Sequence, residues 1–151
     1  MNITGPELLA QVDAFFKRHP HLCDVAEVKY KLPHHLLYAL GSRETNLSEF
    51  YEQHAGDGGH GRGTWQLDDR SHQIPNPFPM DMQADLAAAH IRSDLDFFKG
   101  DLKAALSAYN GGRGGAHKGL TEGNSDKYTT GHDYGQDTLD RLHFIQGNRP
   151  R

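Results

Sequence analysis

The first third of the chain carries the stretch Leu36-Leu37-Tyr38-Ala39-Leu40-Gly41-Ser42-Arg43-Glu44-Thr45-Asn46, five apolar residues followed by a polar, charged end. Pro33 stands just before it, where proline suits a first helical turn, so we predict a helix from Pro33 to Glu44. A carboxyl group beside apolar surface is pushed toward its protonated form. Glu44 is therefore a candidate proton donor.

Helices are also predicted on both sides of this stretch, because apolar residues recur at helical spacing there. The predicted segments are a helix from a capping box at residues 4–7 to about Lys17, Leu22 to Lys31, about Asp81 to Lys99, Leu102 to Asn110, and about Asp133 to Gln146. Gly111-Gly112 is expected to end the fifth helix, and a polar loop is expected to reach Thr130. Asp133 is expected to cap the last helix.

Helical periodicity disappears between Thr45 and Pro79, where glycines and prolines are frequent. This region is expected to be a loop holding at most a small hairpin. Long loops inside compact domains tend to be functional. We therefore predict a mainly α (α+β) chain with a small irregular or β lobe, folded as a single domain over residues 1–151.

Composition narrows the classes of partner. The 151 residues carry a net charge of −4, and Lys and Arg are scattered, so no basic patch for nucleic acid is visible. No apolar run approaches the ~20 residues that span a bilayer, so no membrane insertion is expected. The N-terminus lacks the pattern of a secretory signal, which predicts synthesis in the cytoplasm and a non-standard route to any external substrate. The single Cys23 is expected to be a buried helix residue, since it cannot form an internal disulfide.

Cofactor patterns are weak. The spacing Gly56-x-Gly58-x-x-Gly61 matches a dinucleotide fingerprint, but a preceding strand and a following helix are missing, and Asp57 would repel phosphate. The eleven histidines include no H-E-x-x-H and no tight Cys/His cluster. His34 and His35 are expected to serve as solvent and packing residues. The sequence therefore predicts no metal and no cofactor.

Three carboxylates are better candidates for chemistry. Glu44 follows the apolar run, whereas Asp57 and Asp68 lie in polar, glycine-rich segments where a carboxylate stays ionised. Glycosidic bond cleavage needs this asymmetry, because one group donates a proton while another activates water or stabilises charge on the sugar. Taken singly, each of the three is an ordinary helix-end or turn residue.

Five blocks occur in an order that resembles goose-type lysozyme, a relative of the lytic transglycosylases. They are Ser42-Arg43-Glu44-Thr45-Asn46, Gly56-Asp57-Gly58, Gly61-Arg62-Gly63-Thr64-Trp65-Gln66-Leu67-Asp68 with Arg70-Ser71-His72, Leu106-Ser107-Ala108-Tyr109-Asn110-Gly111-Gly112, and Thr129-Thr130-Gly131-His132-Asp133-Tyr134. The resemblance covers about Leu36 to Leu142. It implies a lysozyme-like fold and cleavage of the β-1,4 bond between N-acetylmuramic acid and N-acetylglucosamine.

The resemblance also implies roles for single residues. Glu44 matches the family's general acid, and Asp57 and Asp68 match the aspartates associated with water activation. The residues expected to bind substrate are Tyr109, Asn110, His72, Tyr134, Trp65 and Gln66. This chain departs from the family's usual Gly-Leu-Met-Gln by reading Gly63-Thr64-Trp65-Gln66, so Trp65 is expected to offer a flatter stacking surface for a sugar.

The mechanism implied is hydrolysis with inversion, in which Glu44 protonates the leaving oxygen and Asp68, with Asp57, activates water. Two alternatives stay open: a lytic transglycosylase that forms 1,6-anhydro-muramic acid products, and a non-catalytic module that binds glycan. The expected partner is peptidoglycan, bound by a monomer. The absence of the cysteines found in secreted vertebrate members favours a bacterial or phage setting, such as an endolysin or a lytic part of a virion.

Overall fold

Six α-helices and one three-stranded antiparallel sheet form the part of the chain that the computed structural model describes, residues 1–149 without the side chain of Asp57. The helices are α1 (Gly5–Arg18), α2 (Leu22–Lys29), α3 (Leu36–Thr45), α4 (Met80–Phe97), α5 (Leu102–Thr121) and α6 (Tyr134–Asn148). The strands are β1 (Ala55–Gly56), β2 (Gly61–Arg62) and β3 (Leu67–Asp68). The chain is 64% helical, so the prediction of a mainly α protein with a small β lobe is confirmed.

Helix α3 is the central element of the core. Every residue from Leu36 to Ser42 is buried, and the helix packs against α1, α2, α4 and α6. The side chains of Phe15 and Tyr38 meet edge to face, with ring centres 6.2 Å apart. A helix that is apolar on all sides belongs inside a protein, which explains why an uninterrupted apolar run forms this element.

The start of α3 differs from the prediction. The helix begins at Leu36 rather than Pro33, because His35 has a left-handed backbone with φ of 74°. Glu27 of α2 supplies the cap instead: its Oε1 accepts the His35 N–H at 3.0 Å and its Oε2 accepts the Leu37 N–H at 2.8 Å. A carboxylate at a helix N-terminus satisfies N–H groups that have no partner within the helix.

Helix α1 begins as predicted. Thr4 accepts the Glu7 N–H at 3.4 Å, and Glu7 accepts the Thr4 N–H at 3.1 Å, which completes the capping box. Helix α2 ends at Lys29, two residues earlier than expected, and Lys31 then has φ of 54°.

Helix α5 is longer than predicted. It breaks at Gly112, whose φ of 79° and ψ of 159° suit glycine, and then continues to Thr121. The prediction of a polar loop is therefore wrong for residues 113–121. This second segment packs through small residues, since Ala116 and Gly119 are buried, and a Cβ on Gly119 would lie 2.4 Å from the Asn124 carbonyl oxygen.

The β lobe lies between α3 and α4 in sequence, where the loop region was expected. A 3-10 turn at Glu49–Glu52 leads into strands that pair in the order β1-β2-β3. Gln83 of α4 holds the lobe in place: it accepts the Thr64 N–H at 2.9 Å and donates to the carbonyl oxygens of Glu52 and Phe78. Strand β3 ends at Asp68, so this anchor helps to fix the lobe that carries Asp68 against α4.

None of the helices within residues 1–149 combines the length and the apolar character needed to cross a membrane.

Candidate active site

A cleft of about 490 Å³ opens where the end of α3 meets the β lobe, the middle of α5 and the start of α6. Six of the nine residues predicted for the site line it: Glu44, Gln66, Asp68, Tyr109, Asn110 and Tyr134. A larger groove of about 650 Å³ lies elsewhere, between α2 and α4, and none of the eight predicted residues whose side chains are described lines it. The chemistry expected from the sequence is therefore concentrated in the smaller, more polar cleft.

Glu44 lies in the last turn of α3 and is half-buried. The Tyr134 hydroxyl, at the first residue of α6, donates a hydrogen bond to Glu44 Oε1. Burial, followed by the charge of Glu44, raises the pKa of Tyr134 well above its usual range, so Tyr134 keeps its proton. The Tyr134 hydroxyl is thus a permanent hydrogen-bond donor that orients the carboxyl group of Glu44.

Tyr109 is the second phenol near Glu44. Its hydroxyl donates to the Trp65 carbonyl oxygen at 2.7 Å, which ties α5 to the β lobe. Burial, and then the charge of Glu44, raises the pKa of Tyr109 well above its usual range. The surroundings of Glu44 therefore include aromatic hydroxyl groups, and are less apolar than the preceding run suggests.

Trp65 does not line the cleft, so the prediction that its ring stacks on a sugar is wrong. The ring is fully buried, its Nε1 donates to the Leu37 carbonyl oxygen at 2.8 Å, and it packs edge-on against Phe15. An aromatic residue in a glycine-rich loop suggests a surface for binding a ligand, but the Trp65 ring belongs to the core beneath the lobe. Burying a large aromatic ring stabilises the folded state, whereas leaving it exposed to solvent does not.

Arg43 is a member of the site that the sequence interpretation missed. Its guanidinium lies 5.0 Å from the centre of the Tyr134 ring. It donates to Asp137 Oδ2 at 2.8 Å and to Asp133 Oδ1 at 3.1 Å, so Asp133 pairs with Arg43 and its side chain does not cap α6 as expected. Arg43 thereby joins the end of α3 to the start of α6 beside Glu44.

Asp126 takes the capping role at α6. Its carboxylate is buried and accepts the N–H groups of Gly135 at 2.7 Å and Gln136 at 2.9 Å. The Ser107 hydroxyl also donates to it at 2.8 Å. This contact fixes the first turn of α6, and with it Tyr134, against α5.

Asp68 is held by Arg70. Its Oδ1 accepts the Arg70 Nε–H at 2.9 Å and the Arg70 backbone N–H at 2.8 Å, and its Oδ2 accepts from Nη2 at 2.7 Å. The side-chain hydrogen bonds of Arg70, and then its backbone N–H, hold the pKa of Asp68 well below its usual range. Asp68 is thus a fixed negative charge and a weak base.

Two other residues predicted for the site are His72 and Asp57. His72 lies outside the cleft, with its Nε2 3.4 Å from His90 Nδ1. Asp57 begins a 3-10 turn, Asp57–Gly59, between β1 and β2, and its side chain lies outside the described part of the structure.

The two amides predicted to bind substrate, Asn110 and Gln66, are held by their neighbours in the cleft. Asn110 Oδ1 accepts the Thr130 N–H at 2.8 Å, and its Nδ2 donates to Thr130 Oγ1 at 3.3 Å. Gln66 Nε2 donates to the Gly63 carbonyl oxygen at 2.9 Å. A Cβ on Gly56 would lie 2.5 Å from Gln66 Oε1, so glycine leaves room for this amide.

A second groove of about 510 Å³ adjoins the cleft and shares Asp68, Tyr109 and Asn110 with it. Its floor contains buried Asp94, whose Oδ1 accepts from Arg113 Nε at 2.8 Å. Sequence reasoning missed this extension, because Arg113 belongs to the helical segment that was expected to be loop. The two grooves adjoin at these shared residues, so a polymer bound in the cleft could extend into the second groove.

Searches of protein-family models and of curated proteins find no match to this chain.

Proposed function

We propose that the protein is a muramidase with a lysozyme-like fold, which hydrolyses the β-1,4 bond between N-acetylmuramic acid and N-acetylglucosamine in peptidoglycan. One observation carries the proposal: Glu44 and Asp68 come from different elements and line the same cleft, where Tyr134 donates to Glu44. A potential acid and an ionised carboxylate beside one polar cleft form the pair that glycoside hydrolysis uses.

In the proposed reaction, protonated Glu44 gives its proton to the glycosidic oxygen as the bond from that oxygen to the anomeric carbon breaks. Water adds to the anomeric carbon from the opposite face and loses a proton to a carboxylate, which gives inversion. Asp68, held ionised by Arg70, stabilises positive charge on the sugar and orients the water. Asp57 remains the second candidate for accepting the proton.

The extent of the two adjoining grooves also supports a polymeric substrate. The cleft and the adjoining groove measure about 490 and 510 Å³ and meet at Asp68, Tyr109 and Asn110. A single sugar would leave much of this space empty, whereas a glycan strand would fill both parts. Binding energy from remote sugars can then orient the scissile bond.

Replacement of the acid tests the proposal. Glu44→Gln should lower the rate of cell-wall lysis by at least ~100-fold, because a general acid contributes about that much. Glu49→Gln is the matched control, since Glu49 is exposed and lies outside the residues that line the cleft. The measurement is loss of turbidity of purified cell walls, with circular dichroism to verify folding. Equal rates for Glu44→Gln and wild type would refute the assignment.

A lytic transglycosylase is the second candidate, and the Arg70 contact favours it. Arg70 occupies both oxygens of Asp68, which weakens that carboxylate as a base for water. A transglycosylase needs no water, because the sugar's own hydroxyl attacks. Mass spectrometry of the products separates the two, since the anhydro product is lighter by one water. Binding of the walls without any product would instead indicate a glycan-binding module.

A further inference from the structure

A second cluster of polar side chains lies at the junction of α2 and α3, and its residues do not line the cleft. Asp24 and Glu27 are one helical turn apart on α2, and His34 precedes α3. One donor atom from each of the three lies within 4.8 Å of the other two. His34 Nδ1 is 3.5 Å from Glu27 Oε1 and 3.6 Å from Asp24 Oδ1.

These separations are too long for good hydrogen bonds, which join N and O atoms at about 2.7–3.2 Å. They suit ligands that share one ion. Two ligand atoms bound to Zn²⁺ at about 2.1 Å with tetrahedral angles lie about 3.4 Å apart. The two separations from His34 are therefore close to the spacing that metal coordination would impose.

Two of the three ligand side chains, those of Glu27 and His34, are also held by protein contacts before any ion arrives. Glu27 is 1% exposed, and each of its oxygens accepts a backbone N–H of α3. The His34 ring packs against the His35 ring, with centres 3.7 Å apart and planes tilted by 30°. His35 is itself buried, and its Nδ1 has no hydrogen-bond partner in the described part of the chain.

Charge favours a cation at this position. Asp24 and Glu27 bring two carboxylates together, and within residues 1–149 their close ion-pair contacts are to histidines, not to lysine or arginine. A divalent ion would balance both carboxylates. Burial of a carboxylate without a cation is costly, and coordination of a metal is one way in which proteins offset that cost.

We propose that Asp24, Glu27 and His34 bind a divalent transition-metal ion, with Zn²⁺ the best match, at a site that joins α2 to the start of α3. One imidazole nitrogen and two carboxylates suit Zn²⁺, with water in the fourth position, whereas Ca²⁺ and Mg²⁺ prefer oxygen ligands alone. The sequence predicted no metal because the three residues follow no familiar motif. This site is independent of the proposed muramidase activity.

The proposal is tested by titrating the EDTA-treated full chain with Zn²⁺ in an isothermal calorimeter and by measuring Tm with and without Zn²⁺. One tight site per chain is expected, together with a Zn²⁺-dependent rise in Tm. His34→Ala should weaken binding by at least ~100-fold, since even outer partners of a metal ligand contribute up to that factor. His117→Ala is the control, because His117 is an exposed histidine on α5 and should bind as wild type.

Glu27 also caps α3, so the second variant is made at Asp24 instead. Asp24 is partly exposed, and Asp24→Asn keeps its shape while removing a ligand charge. It should also lose tight Zn²⁺ binding. The proposal is overturned if Zn²⁺ leaves Tm unchanged, if His34→Ala or Asp24→Asn binds as tightly as wild type, or if Mg²⁺ binds as tightly as Zn²⁺.

Discussion

At the scale of single residues, the hydroxyl of Tyr134 sets the position of Glu44. The phenol is buried, donates to Glu44 Oε1, and lies under the Arg43 guanidinium. The orientation of the proposed acid therefore depends on a residue of another helix. A change that removes only this hydroxyl isolates that dependence.

Tyr134→Phe should lower kcat by about 10–100-fold, because a hydrogen bond to a charged group is worth about 1.5–3 kcal/mol. KM should change little, since the phenol acts through Glu44. Steady-state kinetics on a soluble glycan measure both constants. Tyr128→Phe removes a similar contact, with Glu122, outside the cleft and should leave both constants unchanged. An unaltered kcat in Tyr134→Phe would exclude this positioning role.

Arg70 controls the charge of Asp68. In Arg70→Ala the pKa of Asp68 should move back toward its ordinary value of 3.8, since the side-chain hydrogen bonds that lower it most are lost while the backbone N–H of residue 70 remains. If catalysis needs ionised Asp68, the acidic limb of the pH–rate profile should move to higher pH. Arg92→Ala removes a comparable exposed pair with Asp96 and should not move the limb. A profile identical to wild type would show that the charge of Asp68 is not used.

At the scale of elements, sequence patterns predicted those helices whose signals are local. The capping box of α1 is contained within four residues, and the apolar run of α3 is buried as a whole. Glu27 lies nine residues before α3, so the true start of that helix depends on a contact that periodicity does not reveal. The segment after Gly112 was missed because its small buried residues carry little apolar signal.

The candidate site was predictable in part for a related reason. Glu44, Asp68, Tyr109 and Tyr134 stand in recognisable blocks, and they meet in one cleft. Trp65 was misassigned because burial in the core beneath the lobe depends on contacts with α1 and α3. The partners of Arg43 lie about 90 residues away in the chain, at Asp133 and Asp137, and no local pattern announces them.

Helix α6 offers a matched pair of glycines. In Gly135→Ala the new Cβ would lie 2.6 Å from Ser107 Oγ and 2.8 Å from the Lys103 carbonyl oxygen. Forcing α5 and α6 apart should cost about 1–3 kcal/mol of unfolding free energy. Gly147→Ala meets nothing within 4 Å and should be neutral or stabilise by up to about 1 kcal/mol. Urea unfolding measures both, and equal effects would contradict the close approach of these helices.

At the scale of the whole molecule, Asp137 joins distant parts of the chain. It is buried, pairs with Arg43 of α3 and Arg141 of α6, and accepts the Asn2 N–H at 2.7 Å. Burial alone would raise its pKa, but the hydrogen bonds from Arg43 and Asn2 and the charge of Arg141 outweigh burial and lower it. The folded state therefore favours the ionised carboxylate.

Acid should weaken the fold through this group. Because the folded pKa lies below the unfolded one, the stabilisation is present above the unfolded value of about 3.9 and is lost as pH falls through the folded value. Asp137→Asn should cost about 3–5 kcal/mol near neutral pH and flatten the acidic decline. Urea unfolding across the acidic range measures this, with exposed Asp81→Asn as control. A decline unchanged in Asp137→Asn would assign acid sensitivity to other carboxylates.

The contact between α3 and α6 has a consequence for protein engineering. Arg43, Tyr134 and Asp137 join the same two helices that carry the proposed acid and its hydroxyl partner. Variants at this contact between α3 and α6 could lose activity either because they fold poorly or because turnover is impaired. An activity screen alone would not distinguish the two causes. Specificity is better altered at the outer face of the second groove, for example at Ser93, which is exposed and belongs to α4 rather than to the contact between α3 and α6.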